Sequence, residues 1–122
     1  PMNMLAAIGA YGSLLRARGE PLHWPGGAPY VASGTCANLL ARAIEWAGTS
    51  PAAADETFNI ANGDVYVWRN LWPAIAKSLG MAEGEPQPMK LSDEMPKREA
   101  EWATLVQRHG LRPWTLERFV GD

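Results

Sequence analysis

The stretch from Phe58 to Pro73 restricts the fold of this chain more than any other. In order it holds a short apolar run (Phe58, Ile60), an Asn62-Gly63-Asp64 turn, and a stretch carrying Trp68 and Trp72 four residues apart. Asn-Gly takes positive φ readily, so the chain can reverse between a strand at residues 58–60 and a helix at about 68–79. Residues four apart share one helix face, so the two indoles can bury a large apolar area together. Local physics thus predicts a strand–turn–helix corner, with Gly80 ending the helix.

The same reading gives the other elements. Asn3 is the expected N-cap of a helix to about residue 18, with Met4, Leu5, Ile8, Tyr11 and Leu15 at helical spacing and Gly19 as its stop. Gly9 and Gly12 each cost about 1 kcal/mol relative to Ala inside a helix. With Ala6 and Ser13 they form a strip that another backbone could approach closely. Residues 20–29 are rich in Pro and Gly and hold at most a short strand at 22–24, which Pro21 and Pro25 assign to an edge. Thr35 is the expected cap of a second helix through about residue 47. Leu39, Leu40, Ala43, Ile44 and Ala47 line its buried face, and Gly48 ends it. Residues 81–92, with Pro86 and Pro88, read as a loop or linker inside a single domain spanning 1–122. A last long helix is expected over 93–109, with Trp102, Leu105, Val106 and His109 as its stripe. Thr115 reads as the cap of one more helix.

The fold class is therefore α+β and mainly helical, with four to five helices and one or two short strands. Composition, 47% apolar and 20% charged, suits a small globular unit. The net charge of −2 comes without a basic cluster, which argues against nucleic-acid binding. No apolar run approaches the roughly 20 residues that span a bilayer, so no membrane partner is expected. The single Cys36 has no internal disulfide partner and fits a reducing, cytoplasmic setting. The chain opens on Pro1 with no visible secretory leader, which suggests a mid-sequence start.

The residues offer little independent chemistry. His23 and His109 lack a second ligand at metal spacing and read as structural or surface groups. Cys36 begins a helix, where a thiolate can be stabilised, but a small packed thiol is the simpler reading. Asp55-Glu56 and Asp93-Glu94 read as solvated loop and first-turn carboxylates. Of the six tryptophans, Trp46, Trp72 and Trp102 are assigned to the core or a domain interface. Trp24 and Trp68 keep two readings, core or the wall of a pocket for a hydrophobic molecule. Asp64 likewise is either a turn acceptor or a ligand contact.

The wording N-x-x-N-G-D-x-aromatic-x-W-x-x-x-W over residues 59–72 resembles the progesterone 5β-reductase/iridoid synthase-like branch of the short-chain dehydrogenase/reductases. These are extended, NAD-dependent epimerase/dehydratase-like enzymes. The likeness continues through Met2-Asn3-Met4, Pro21 to Gly26, Leu39-Leu40-Ala41, Trp46-Ala47, Trp102 and Arg108-His109-Gly110-Leu111. It implies the substrate-side, C-terminal part of a Rossmann-type reductase, with the cofactor-binding and catalytic portion before Pro1 and a further stretch after Asp122. It also implies, for an intact relative, NADP(H)-dependent reduction of a small hydrophobic enone or carbonyl. Substrate-side residues would be Met2, Asn3, Trp24, Asn62, Asp64 and Trp68. Two departures stand out. Thr35-Cys36-Ala37 replaces the usual Ser-Asp-Ala, and Val67, which cannot cap, replaces Thr or Ser.

No cofactor is expected for this chain itself. Gly9-Ala10-Tyr11-Gly12 falls inside a helix and Gly26-Gly27 in a loop, neither with the spacing of a pyrophosphate turn. The residues four beyond Tyr11, Tyr30 and Tyr66 are Leu15, Gly34 and Asn70, so the Tyr/Lys pair of such reductases is absent. No catalytic, cofactor-binding or metal-binding residue is assigned. The competing class is a non-catalytic domain that binds a partner or itself. A carrier of a hydrophobic small molecule is a third. Expected partners are a second copy or a nucleotide-binding part.

Overall fold

The computed structural model describes residues 3–121. These divide into two compact units, residues 29–71 and the two segments flanking them. The mainly helical α+β class holds.

The first unit is built on α1 (Met4–Ala17), capped as expected by Asn3, whose Oδ1 accepts from the Leu5 and Ala6 amides at 3.1 and 3.2 Å. Gly19, at φ +73°, stops it. The buried stripe is Ala7, Ile8, Tyr11, Leu14 and Leu15, whereas Leu5 is 73% exposed. The small-residue strip has one tight point. A Cβ on Gly12 would stand 2.7 Å from the Leu79 side chain, so the close neighbour is a side chain and not a backbone. Against α1 pack α5 (Glu99–Arg108) and α6 (Leu116–Val120). The Asn3 amide also donates to the Val120 carbonyl at 2.6 Å. Thr115 caps α6 as expected, its Oγ1 accepting from the Arg118 amide.

The long helix predicted over 93–109 is broken. Pro96 has no amide to donate and disfavours helical backbone before it. The chain therefore runs as α4 (Leu91–Glu94), a 3₁₀ turn (Pro96–Arg98) and α5. Trp102, Leu105 and Val106 are buried as predicted; His109 is exposed, a correction to the stripe. The 81–92 stretch also carries structure. Its β4 (Glu83–Gly84) pairs in parallel with β1 (Leu22–His23), Leu22 opposite Glu83. Main-chain bonds from Gln87 to Trp24 and from Met89 to Pro25 extend the pairing beyond the ladder.

In the second unit β2 (Ala32–Ser33) pairs antiparallel with β3 (Val65–Tyr66). Residues 58–60 form no strand, and Phe58 is 46% exposed, against the expected buried strand. Without ladder partners an apolar run has no reason to extend; the Ile60 carbonyl is instead held by Thr35 Oγ1 at 2.8 Å. Helix α2 (Ala37–Thr49) begins two residues later than Thr35 and has no buried residue, so its predicted core face is bare. Leu40 and Ile44 are exposed, and Trp46, assigned to the core or a domain interface, is not in the core but at the surface, edge-on to Phe58 at 5.0 Å. The turn forms as expected: Gly63 has φ +92° and leads through β3 into α3 (Trp68–Ser78). Val67 meets that helix only through its carbonyl, which accepts from Asn70 and Leu71.

Candidate functional site

Four of the substrate-side candidates can be followed through the Asn62 corner and the loop at Trp24; Asn3 is set by α1 and Met2 lies outside the described residues. In the second unit the corner is stitched to the start of α2. The Asn62 amide donates to the Gly34 carbonyl at 3.1 Å, and Asn62 Oδ1 accepts from the Cys36 amide at 2.9 Å. One side chain thus satisfies an amide at the mouth of α2, where such groups lack intrahelical partners. Cys36 is the cap itself, its Sγ accepting from the Leu39 amide at 3.4 Å, and it is exposed where a packed thiol was expected.

Gly63 leaves Asp64 at the outside of this corner. Among the described residues none donates a hydrogen bond to its carboxylate, so the turn-acceptor role belongs to Asn62 instead. Trp68 is half-buried and meets Tyr66 edge-on, ring centroids 5.3 Å apart. Asn62, Asp64 and Trp68 are therefore gathered within one short stretch that a two-residue ladder and one asparagine hold in place.

In the first unit Trp24 rests edge-on against Trp72, centroids 4.9 Å apart. Trp72 is 1% exposed and its Nε1–H donates to the Leu22 carbonyl at 3.3 Å, so it is core as predicted. Trp24 is half-buried on top of it. His23 is structural: its Nδ1–H donates to the Glu85 carbonyl at 2.8 Å, which fixes the tautomer. Gly84 is required beside it, because a Cβ there would stand 2.5 Å from that ring. Asn3 is far from free, since its side-chain oxygen is committed to the α1 amides.

None of the described site candidates lines either of two large concavities formed by described residues of the first unit. One, about 630 Å³, lies among α1, α4, α5 and α6 and carries Glu99 and Glu117 on its wall. The other, about 650 Å³, lies along α1, α5 and α6 and carries Arg16, Arg108 and His109. Sequence reasoning missed the second; the signal was present in Arg16 following Gly9 and Ser13 along one helix. Also unforeseen is a donor pair without acceptors. The Tyr11 hydroxyl and Arg98 Nη1 are buried and make no hydrogen bond among the described residues. Burial raises the Tyr11 pKa, with nearby Arg98 acting the other way. No group of His, Cys, Asp and Glu that could hold a metal occurs among the described residues, and no described helix is long and apolar enough to cross a membrane.

The residues present do not fit a dinucleotide. Gly12 is packed against Leu79, and at the start of α1 the Leu5 and Ala6 amides are already taken by Asn3. The start of α1 is therefore not left open for a pyrophosphate.

Comparison with known proteins places these features. No protein-family model matches the chain. It is 33% identical over 123 residues to an (S)-8-oxocitronellyl enol synthase of Nepeta cataria, covering 95% of this chain and 31% of that enzyme. A namesake from Antirrhinum majus is 32% identical over 125 residues, 94% of this chain and 31% of that enzyme. The 3-oxo-Delta(4,5)-steroid 5-beta-reductase of Arabidopsis thaliana is 29% identical over 122 residues, 95% of this chain and 31% of its own length. The chain thus spans about a third of the curated relatives it matches.

Proposed function

Since this chain is a homologue, over nearly its whole length, of the progesterone 5β-reductase/iridoid synthase-like reductases, we propose that it is the substrate side of such an enzyme. The substrate class is a small hydrophobic enone or carbonyl, and the chain by itself is inactive. The observation that carries this reading is the match over 95% of the chain to enzymes named for enol synthesis and enone reduction. A 3-oxo-Δ4 steroid is a conjugated enone, and an enol is what hydride addition to a conjugated carbonyl leaves behind. The two names therefore share one chemistry.

Within that reading the residues divide by what their atoms have left to offer. Trp24 and Trp68 present half-buried ring surface suited to an apolar substrate. Asp64 has a carboxylate free to accept a substrate or solvent proton donor. Asn3 and Asn62 have spent their oxygens on backbone amides and act by positioning, with the amide NH₂ of each remaining. NAD(P)H, which supplies the hydride in such reductases, finds no cradle here, so no step is assigned to it on this chain.

Titrating the chain with a 3-oxo-Δ4 steroid while following tryptophan fluorescence tests the reading. Saturable quenching that Trp68→Ala weakens at least fivefold supports it. Absence of any saturable change defeats it. NADPH, titrated in parallel, is expected to give none.

A second reading, self-association, is favoured by one observation: α2 buries no residue while Leu40, Ile44, Trp46 and Phe58 stand exposed. Exposed apolar side chains of this size along one helix are suited to an interface. Sedimentation equilibrium at micromolar concentration should then give a mass above 13.3 kDa that Ile44→Glu returns to the monomer. A monomer in both would dismiss it.

A further inference from the structure

We propose that the groove along α1, α5 and α6 binds a free long-chain carboxylate, alkyl chain on its floor and headgroup at its arginine rim. The groove holds about 650 Å³, within the range of roughly 300–1,000 Å³ typical of small-molecule sites. Its floor is Gly9, Ala10, Trp102 and Leu105, flanked by Leu111 and Phe119, the last tilted onto Trp102 at 4.9 Å. A Cβ on Gly9 would meet nothing within 4 Å, so the floor is open there. Leu111 is 52% exposed and Phe119 39% exposed, which leaves apolar wall for a ligand to cover.

Charge decides the headgroup. Every ionisable side chain lining the groove is basic: Arg16, Arg108 and His109. Arg16 is held in place by one bond, Nη1–H to the Leu79 carbonyl at 3.1 Å, and keeps its other donors. Arg108 has no hydrogen bond or ion pair among the described residues. Glu101, the acid of α5 closest to Arg108 in sequence, is neutralised by two hydrogen bonds from Arg18. The C-terminus of α5 opposes an anion with about half a negative charge, but two guanidiniums outweigh it. The neighbouring cavity supplies the contrast. It is of similar size, yet its charged groups are Glu99 and Glu117, so a carboxylate would be repelled there. A planar guanidinium matches a carboxylate in two-point geometry, which favours this anion over a diffuse charge.

Calorimetric titration of the 122-residue chain with octanoate, decanoate and dodecanoate, all below their micellar concentrations, tests the assignment. Dodecanoate should bind one to one in the micromolar range, and each added CH₂ should tighten binding by up to about fourfold until the groove is full. Arg16→Glu with Arg108→Glu should weaken dodecanoate at least tenfold while leaving dodecanol unchanged. Gly9→Leu, whose side chain enters the open floor, should weaken both ligands. Arg108→Gln, which breaks no contact within the protein, serves if the double variant fails to fold and should weaken dodecanoate alone. No saturable heat with dodecanoate would overturn the proposal. So would equal binding of dodecyltrimethylammonium, or binding to anionic vesicles without binding to dodecanoate, which would make this face a membrane surface.

Discussion

Replacing Trp72 by Ala removes the largest fully buried side chain in the structure. Truncating a buried Trp to Ala costs about 3–5 kcal/mol through lost transfer and an unfilled cavity. The edge-on contact with Trp24 adds about 0.5–1.5 kcal/mol, and the Nε1–H bond to Leu22 about 1 kcal/mol. These terms overlap, so a loss of about 4–6 kcal/mol is expected. A domain of this size has about 5–15 kcal/mol in total. Trp72→Ala should therefore lose roughly a third or more of the total stability and unfold outright if the parent lies near the low end of that range. Trp72→Phe keeps the ring and loses only the donor and part of the volume, so about 1–3 kcal/mol. Trp68, half-buried and touching Tyr66, should cost about 1–2 kcal/mol on truncation to Ala. Urea denaturation followed by far-UV circular dichroism would rank the three. Equal losses at positions 68 and 72 would refute the division and make the pair one hydrophobic clasp.

Asn3→Ala removes the acceptor for two amides and should cost about 1 kcal/mol, read as a lower urea midpoint with unchanged slope. Tyr11→Phe deletes a buried hydroxyl that has no partner among the described residues, so it should be neutral or stabilising by up to about 1 kcal/mol; a clear loss would reveal a buried water holding that hydroxyl. The Arg18 hydrogen bonds hold the Glu101 carboxyl below its ordinary pKa. Its stabilisation is present above the unfolded carboxyl pKa near about 4.3 and lost as pH falls through the lower folded value, by at most about 1 kcal/mol at so exposed a site. Glu101→Gln should flatten that part of the acid limb in a stability-versus-pH series. Exposed Cys36 should react with a thiol reagent in native buffer at a rate close to that in denaturant; strong protection would contradict its position.

What the sequence made legible was local. Asn3, Gly19, Gly63, Gly80 and Thr115 each act within a few residues, and each does what its chemistry dictates. Long-range pairing was hidden. Nothing near Phe58 says that its run lacks a ladder partner, and nothing near Glu83 says that a strand sixty residues earlier would adopt it. Burial is equally non-local: the α2 stripe is as regular as that of α1, yet only α1 finds helices to cover it. Pro96 was readable and was overridden by the periodicity on either side of it. Of the site, the Asn62-Gly63 geometry was foreseen, whereas Cys36 as cap was not, because sulfur is a weak acceptor seldom expected there.

The first unit is discontinuous, its opening helix completed only by the α5 and α6 helices near the other end of the chain. During synthesis α1 leaves the ribosome about a hundred residues before Val120, an interval of roughly 5–20 s at ordinary elongation rates. Over that interval residues 29–71 emerge as a unit of their own, while α1 waits for the two later helices that pack on it. The closing step must then join distant segments, and its entropic cost grows only about 0.6 kcal/mol for each doubling of the intervening loop. The delay is thus mainly one of time, and a nascent chain stalled before α5 would lack the two helices that pack on α1.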